Sequence, residues 1–233
     1  MSDLSDTRVI LFDLDGTLID SVPQLHLAVQ HALTEVGKEK VTLDDVRTWI
    51  GNGAAVLLKR AYCRQYQYEE SAIDPAHFQI MKNAFDEHYA KGIDQNFAVY
   101  PAVAETLASL KNAGFEMAVV TNKPDSFVQP LLKAAGIADY FSYTLGGGVL
   151  AVHKPAPEPL FYLCDKFAVE PNQALMVGDS KNDIEAARAA GMPVVGLTYG
   201  YNHGEPIEHS QPDWVLNHFD ELAGLLKVNA LRN

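Results

Sequence analysis

The chain has 233 residues, of which 48% are hydrophobic, and this is enough to bury one large core or a core with a smaller insert. Disordered and fibrous classes are excluded by the same composition. The formal net charge is −12 at pH 7. Because nucleic acids and anionic membranes attract proteins through Lys and Arg, we expect neither as a partner. An anionic substrate would need local positive charge.

Two cysteines, Cys63 and Cys164, lie far apart and outside any Cys-x-x-Cys or Cys/His metal spacing. They predict free thiols in a reducing compartment rather than a disulfide framework. The first apolar run, Val9–Phe12, is too short for a signal peptide or a membrane span. We therefore expect a cytoplasmic protein.

Short apolar runs typical of buried parallel strands recur along the chain. They are Val9–Phe12, Met117–Thr121, a weaker run at Phe141–Leu145, Ala174–Val177 and Pro193–Leu197. Helical patterns lie between the runs, and three of them end at a glycine, which suits the left-handed position after a helix. These are Ala102–Ala113, Ser126–Ala135 and Asp183–Ala190, followed by Gly114, Gly136 and Gly191. The alternation predicts an α/β fold with a Rossmann-like parallel sheet covered on both faces.

Residues 21–97 differ from the rest, because apolar side chains recur there at helical spacing, as at Leu25 and Val29, without a convincing strand. This segment enters directly after the first strand. It should therefore lie over the carboxyl edge of the sheet, where open α/β sheets bind ligands. We predict an all-helical cap of residues 21–97 inserted into a core of residues 1–20 and 98–233.

Polar side chains follow the predicted strands at the points where they end. Asp13 and Asp15 follow the first strand, Thr121 ends the second, and Asp179 follows a later one. Parallel strands bring these ends to one edge of the sheet. Carboxylates so close together would repel each other, and a divalent cation with oxygen ligands is the simplest remedy.

Each motif also has a simpler interpretation when taken alone. DLDGT suits an acidic turn, residues 121–122 suit a strand-end cap, Lys154 suits a solvated surface, and residues 178–183 suit a helix-capping loop. A calcium loop of the EF-hand type fails, because that spacing requires glycine and glutamate where the chain has Leu18 and Gln24. The joint occurrence of the motifs in this order favours one shared site.

Four ordered segments, LFDLDGTLIDS, VVTNK, HKPAPEP and GDSKNDIEAARAAG, resemble the four motifs of the haloacid dehalogenase superfamily. The likeness covers essentially the whole chain. Two further segments, WIGNGAAVLLKRA and GLTYGYNHGEPIEHSQPDW, are similar to segments of bacterial phosphoglycolate phosphatases. One departure is the GGGVLAVHK stretch of residues 146–154, where we expected an acidic or polar residue near Gly148.

The resemblance implies a phosphatase that works through an aspartyl-phosphate, with Asp13 as nucleophile and Asp15 as general acid and base. It further implies that Thr121, Asn122 and Lys154 hold the phosphoryl group. The implied Mg²⁺ site comprises Asp13, the Asp15 backbone carbonyl, Asp179 and Asp183, the last in a supporting position.

The charges of these motif residues leave the predicted site short of positive charge for a phosphate dianion. The cap offers Arg47, Lys59, Arg60 and Arg64. We expect Arg47, Lys59 or Arg60 to bind the rest of the substrate, although a solvated helix face is the simpler interpretation for each of the four.

The expected activity is hydrolysis of 2-phosphoglycolate by a monomer or homodimer. The alternatives are another small-metabolite phosphatase, a sugar phosphomutase, a pyrophosphatase or a broad nucleotidase of the same superfamily. A dehalogenase or phosphonate hydrolase is disfavoured, since those relatives lack the aspartate found here at Asp15. A non-catalytic binding module would be favoured by loss of a motif residue, and none is lost.

Overall fold

The computed structural model describes residues 4–228. Its strands, in chain order, are β1 (Val9–Phe12), β2 (Ile19–Asp20), β3 (Ala98–Val99), β4 (Glu116–Pro124), β5 (Tyr143–Gly147), β6 (Ala174–Gly178), β7 (Val194–Leu197) and β8 (Trp214–Leu216). The α-helices are α1 (Val22–Glu35), α2 (Leu43–Trp49), α3 (Ala54–Cys63), α4 (Pro75–Lys91), α5 (Val103–Asn112), α6 (Asp125–Ala134), α7 (Glu158–Phe167), α8 (Lys181–Ala190) and α9 (Glu221–Leu225).

Six strands form one parallel sheet in the order β5-β4-β1-β6-β7-β8. The five predicted strands are all present, and the α/β class with a helical insert between β1 and β4 is confirmed. The sequence analysis missed β2, β3 and β8, because two are only two residues long and the third is a partly exposed edge strand. The three predicted glycine stops are also confirmed, since each has a positive φ and lies one or two residues after the last residue of its helix.

Both faces of the sheet are buried, as expected for strands without polar alternation. Ile10 and Phe12 of β1 contribute to a cluster with α5, α6 and α9 on one face. Val9 and Leu11 contribute to a cluster with α7 and α8 on the other. This two-sided burial holds the central strands rigidly and so fixes the positions of the side chains at their carboxyl ends.

Helices α1 to α4 form a cap with its own hydrophobic cluster, which includes Leu33, Leu58 and Met81. Phe127 and Tyr201 of the core complete this cluster, so the cap packs directly on the core. Helix α2 begins at a capping box in which the side chain of Thr42 accepts from the backbone N–H of Asp45, and that of Asp45 accepts from the backbone N–H of Thr42.

Strands β2 and β3 pair antiparallel where the chain leaves the core and returns to it, with Ile19 opposite Val99 and Asp20 opposite Ala98. The division of the chain at residues 21 and 97 stays a prediction. None of the helices within residues 4–228 is long and apolar enough to cross a bilayer. Cys63 and Cys164 are free thiols.

Candidate active site

The carboxyl edge of the sheet brings together the predicted motif residues from four separate stretches of chain. Asp13 directly follows β1, Thr121 lies in β4, Asp179 directly follows β6, and Lys154 lies on the loop after β5. All four are nine-tenths or more buried. Parallel pairing of β4, β1 and β6 places their carboxyl ends side by side, which is the physical reason that these distant residues meet.

Lys154 is the central cation of this edge. Its Nζ donates to Asp13 Oδ1 at 2.8 Å, to Asp183 Oδ1 at 2.6 Å and to the backbone carbonyl of Val120 at 2.7 Å. Burial alone lowers the pKa of Lys154, but the two carboxylates outweigh it and raise that pKa. The ammonium is therefore charged, and its three N–H groups are all used.

Asp13, Asp179 and Asp183 form an acidic cluster in which one oxygen of each lies within 4.8 Å of the others. Burial raises the pKa of Asp13 to about 6, an effect that Lys154 opposes and Asp183 reinforces. Burial, with the charges of Asp13 and Asp183, also raises the pKa of Asp179 well above its usual value. This crowding of hard oxygen donors fits a divalent cation such as Mg²⁺.

Within this cluster, Asp183 differs from the other two carboxylates because both of its oxygens already accept hydrogen bonds. Oδ1 accepts from Lys154, and Oδ2 accepts from the N–H of Ser180 at 3.1 Å and its hydroxyl at 2.9 Å. These contacts with Ser180 form the capping box that starts α8. The arrangement suits the supporting position that the sequence predicts for Asp183.

Asp179 is anchored by two neighbouring loops, since it accepts from the hydroxyl of Thr17 at 2.8 Å and from the backbone N–H of Tyr201 at 2.8 Å. The loop that carries Thr17 can approach Asp179 closely because position 16 is a glycine. That residue has φ +94°, and a Cβ on it would lie 2.3 Å from Asp179 Oδ2. A side chain at position 16 would therefore displace the Asp179 carboxylate.

Asp15 has two partners that the sequence analysis did not assign. Lys123 Nζ donates to its oxygens at 3.0 and 3.2 Å, and the Ser21 hydroxyl donates to it at 2.5 Å. Burial lowers the pKa of Lys123, but the charge of Asp15 more than offsets this, and the pKa is raised. Both partners stand inside motif segments quoted above, yet Lys123 is separated from Asp15 by 108 residues, so spacing alone gave no sign of the pair.

Strand β4 continues three residues beyond the strand end predicted at Thr121, so Thr121 and Asn122 lie within the strand, before its last residue Pro124, rather than at its end. The hydroxyl of Thr121 accepts from the backbone N–H of Lys123 at 3.2 Å and lines a cavity above the sheet edge. The side-chain amide of Asn122 donates to the backbone carbonyls of Lys154 at 2.8 Å and Gly51 at 2.9 Å. Asn122 thus joins the core to the cap in this structure.

This cavity is small and partly open to solvent, so it suits a compact metabolite better than a bulky one. The core contributes its polar floor, with Asp13, Asp15, Thr121, Lys123 and Lys154 among the lining residues. The cap contributes a largely apolar roof made of Leu25, Ile50, Gly51, Gly53, Ala54, Leu57, Phe85 and Tyr89.

The structure does not bring the three predicted cap cations to this cavity. Lys59 Nζ pairs with Glu70 at 2.7 Å, and Arg60 donates to the backbone carbonyl of Trp49 at 2.7 Å. The guanidinium of Arg47 packs 5.6 Å from the centroid of an aromatic ring of the core. None of the three lines the cavity, and their contact with substrate stays a prediction.

The cap is docked on the core at the turn before α3. The carbonyl of Gly51 accepts from the side-chain amides of Asn122 at 2.9 Å and Asn182 at 3.1 Å. Gly51 has φ +117°, and a Cβ on it would lie 3.1 Å from the ring of His203, so this close contact favours glycine. These contacts hold the cap over the cavity.

A buried carboxylate held by a lysine, a second carboxylate held by another lysine, and an acidic cation site together suit phosphoryl transfer. Residues 10–197 match the family of haloacid dehalogenase-like hydrolases, and the chain belongs to that family. Among its relatives, a phosphoglycolate phosphatase of Haemophilus influenzae is 49% identical over 221 residues, covering 95% of this chain and 97% of that protein.

A phosphoglycolate phosphatase of Pectobacterium atrosepticum is 46% identical over 233 residues, covering 100% of this chain and 98% of its own length. Among solved structures, a predicted phosphoglycolate phosphatase from Haemophilus somnus has a TM-score of 0.89 at 45% identity. That likeness covers 96% of this chain and 99% of the other. The similarity therefore includes cap and core alike.

Proposed function

We propose that this chain is a Mg²⁺-dependent phosphoglycolate phosphatase that hydrolyses 2-phosphoglycolate to glycolate and phosphate. The observation that carries the proposal is the buried Asp13–Lys154 pair beside the Asp179 carboxylate, in a chain 46–49% identical over nearly its full length to phosphoglycolate phosphatases. The acidic cluster supports the metal, and the cavity size supports a small substrate.

In the proposed reaction Asp13 attacks the phosphorus in line and forms an acyl phosphate, which splits one difficult displacement into two easier ones. Lys154 favours the ionised form of Asp13 through its 2.8 Å contact and offsets charge on the transferring group. Thr121 donates its hydroxyl hydrogen to a phosphoryl oxygen. Asp13 and Thr121 act from buried strands, and the three hydrogen bonds of Lys154 hold its ammonium in place, so little reorganisation is needed during the reaction.

Asp15 acts on the leaving group and then on the attacking water. It protonates the ester oxygen as the alcohol leaves, then removes a proton from the water that attacks the acyl phosphate. The contacts with Lys123 and Ser21 hold the carboxyl group in place. The apolar roof limits the entry of other water, which protects the intermediate until that step.

Asp13 and Asp179 would hold Mg²⁺ directly together with the Asp15 backbone carbonyl, with Asp183 supporting Lys154. When bound, the cation supplies positive charge that neutralises the carboxylates and the phosphoryl oxygens. The donor set of this chain is hard oxygen throughout, as Mg²⁺ requires. We further propose that the chain acts as a cytoplasmic monomer or homodimer.

A panel of phosphorylated metabolites ranked by kcat/KM tests the substrate assignment. The panel should contain 2-phosphoglycolate, glycerol 3-phosphate, an aryl phosphate, a hexose phosphate, a nucleotide and pyrophosphate, each with Mg²⁺. We expect 2-phosphoglycolate to rank first, by about tenfold or more over glycerol 3-phosphate and the aryl phosphate, because they lack its carboxylate. A higher rank for the hexose phosphate or the nucleotide contradicts the substrate but not the chemistry. If the protein hydrolyses none of these compounds, both the substrate assignment and the phosphatase chemistry are contradicted.

A further inference from the structure

Tyr89 is a buried residue of the cavity roof whose hydroxyl hydrogen has no acceptor among the residues that the structure describes. It lies near the end of α4, is only 1% exposed and lines the cavity. Among residues 4–228 the hydroxyl makes no hydrogen bond of normal geometry. The nearby Lys123 ammonium interacts with it but can only donate, so the hydroxyl hydrogen has no acceptor among these residues. Burial raises the pKa of Tyr89 to about 12, so the group is a hydrogen-bond donor at neutral pH. Since buried polar groups are nearly always paired, this one calls for a ligand.

The position of Tyr89 relative to Asp15 indicates which part of a ligand it would meet. Lys123 Nζ lies 4.6 Å from the centroid of the Tyr89 ring and 3.0 Å from Asp15 Oδ1. If Asp15 protonates the ester oxygen, the carbon attached to that oxygen must lie beside Asp15. In 2-phosphoglycolate the carboxylate is the next group along, and it therefore falls beside Lys123 and Tyr89.

The other groups that line the cavity are poorly placed for this task. Tyr89 is the only cap residue of the lining whose side chain carries a hydrogen-bonding group; the others are glycine, alanine or larger apolar residues. Lys154 has used its three N–H groups on the core. Lys123 is the remaining cation of the lining, and one ammonium can serve two carboxylates.

We infer that the Tyr89 hydroxyl, beside the Lys123 ammonium, binds the substrate carboxylate and so selects 2-phosphoglycolate over phosphate monoesters of similar size without one. This inference rests on the proposed function and deepens it. It assigns the selection to a residue on α4 rather than to Arg47, Lys59 or Arg60. A donor hydrogen that gains an acceptor only when the carboxylate binds favours the correct ligand, because a monoester without a carboxylate leaves that hydrogen buried and unpaired.

The test compares kcat/KM for 2-phosphoglycolate and for ethyl phosphate, which has a methyl group in place of the carboxylate. Both are measured with the wild type, Tyr89→Phe and a matched control, Tyr62→Phe. Tyr62 is a cap tyrosine whose hydroxyl contacts His77 at 3.1 Å outside the cavity. We expect the preference for 2-phosphoglycolate to fall about tenfold in Tyr89→Phe and to stay unchanged in Tyr62→Phe.

Thermal melting separates this role from a structural one. Without substrate, Tyr89→Phe should melt close to the wild type, because the hydroxyl hydrogen that it removes has no acceptor among residues 4–228. A lower melting temperature, an unchanged preference, or equal losses on both substrates would overturn the inference and leave the proposed function standing. If the wild type itself shows no preference for 2-phosphoglycolate over ethyl phosphate, the proposed function fails and the inference fails with it.

Discussion

The two sides of the cavity are built on opposite physical principles. The core side crowds charged groups at the ends of central strands, where burial raises the pKa of both Asp13 and Asp179. The cap side presents mainly apolar groups, and its nearest charged residues are engaged elsewhere. Phosphoryl transfer needs fixed charge, which rigid strand ends supply, whereas a selective cover needs only water exclusion and a few well-placed donors. Changes to the core edge should therefore have larger effects than changes to the cap contacts.

The largest effect is expected from Asp13→Asn. The amide is nearly isosteric with the carboxylate but is not a useful nucleophile, so kcat for 2-phosphoglycolate should fall by about three orders of magnitude or more. A steady-state assay on freshly purified protein measures this, with circular dichroism to verify folding. Asp139→Asn, at an exposed position, is the matched control and should retain wild-type activity. Substantial turnover by folded Asp13→Asn would remove Asp13 from its assigned role.

Removal of the metal should abolish turnover by the unchanged chain. In excess EDTA we expect no hydrolysis of 2-phosphoglycolate, with full recovery on adding Mg²⁺ beyond the chelator. Ca²⁺ should not restore activity, because it takes more ligands at longer distances and can recruit both oxygens of the Asp13 carboxylate. Full activity in EDTA would contradict the assignment of Asp13 and Asp179 as metal ligands.

The stability of the metal-free protein should depend on pH through the same carboxylates. Asp13 and Asp179 have raised pKa values in the folded state. Their contribution to stability is therefore present at low pH and lost as the pH rises through about 6, the value for Asp13. In EDTA, Asp179→Asn should melt several degrees above the wild type at pH 8, with a smaller difference at pH 5. An equal or lower melting temperature for the variant at pH 8 would show that repulsion among these carboxylates does not destabilise the metal-free protein.

The positions of Asp13, Thr121 and Asp179 could be predicted from the sequence, because each stands at the end of an apolar run that identifies a strand. The parallel class then brings those ends together without further information. Lys154 lies on a loop, and only the family resemblance points to it. On the cap side, the residues that line the cavity depend on which face of each helix packs toward it. Charge and proximity to the Gly51 turn favour Lys59 and Arg60 in the sequence, yet the side chains of both bind partners within the cap.

No motif or sequence pattern identifies Tyr89 as a residue of the site. It lies on a helix about seventy residues from the nearest motif aspartate, and its place in the cavity depends on the packing of α4 against α1. The Lys123–Asp15 pair was missed for a similar reason, since the lysine follows a recognised motif but its partner is set by the pairing of β1 with β4. Strand ends are marked by apolar runs in the sequence, whereas no local sequence pattern identifies the contacts between helices and strands.

His203 is the group through which the contact between cap and core should respond to pH. It lies on the loop after β7, and its Nδ1 contacts the backbone carbonyl of Thr48 in α2 at 3.1 Å. Its Nε2 is buried without a hydrogen-bond partner among the described residues. Burial lowers the pKa of His203 to about 4, and Arg60 and Lys181 lower it further, while the Thr48 contact and Asp183 oppose them. The neutral ring is thus the form that fits between cap and core.

The smallest predicted effect follows from this lowered pKa. Because the folded-state pKa of His203 lies below its ordinary value of 6.5, its contribution to stability is present above pH 6.5 and is lost as the pH falls toward 4. His203→Gln should be less stable than the wild type by about 1 kcal/mol at pH 7.5, and the difference should shrink at pH 5.5. Urea unfolding of Mg²⁺-loaded protein at both pH values measures it. His209 is an exposed histidine of the same loop region, so His209→Gln is the control. Its difference in stability from the wild type should not shrink between pH 7.5 and pH 5.5. A difference between His203→Gln and the wild type that stays constant or widens on acidification would mean that His203 does not make the contact pH-sensitive.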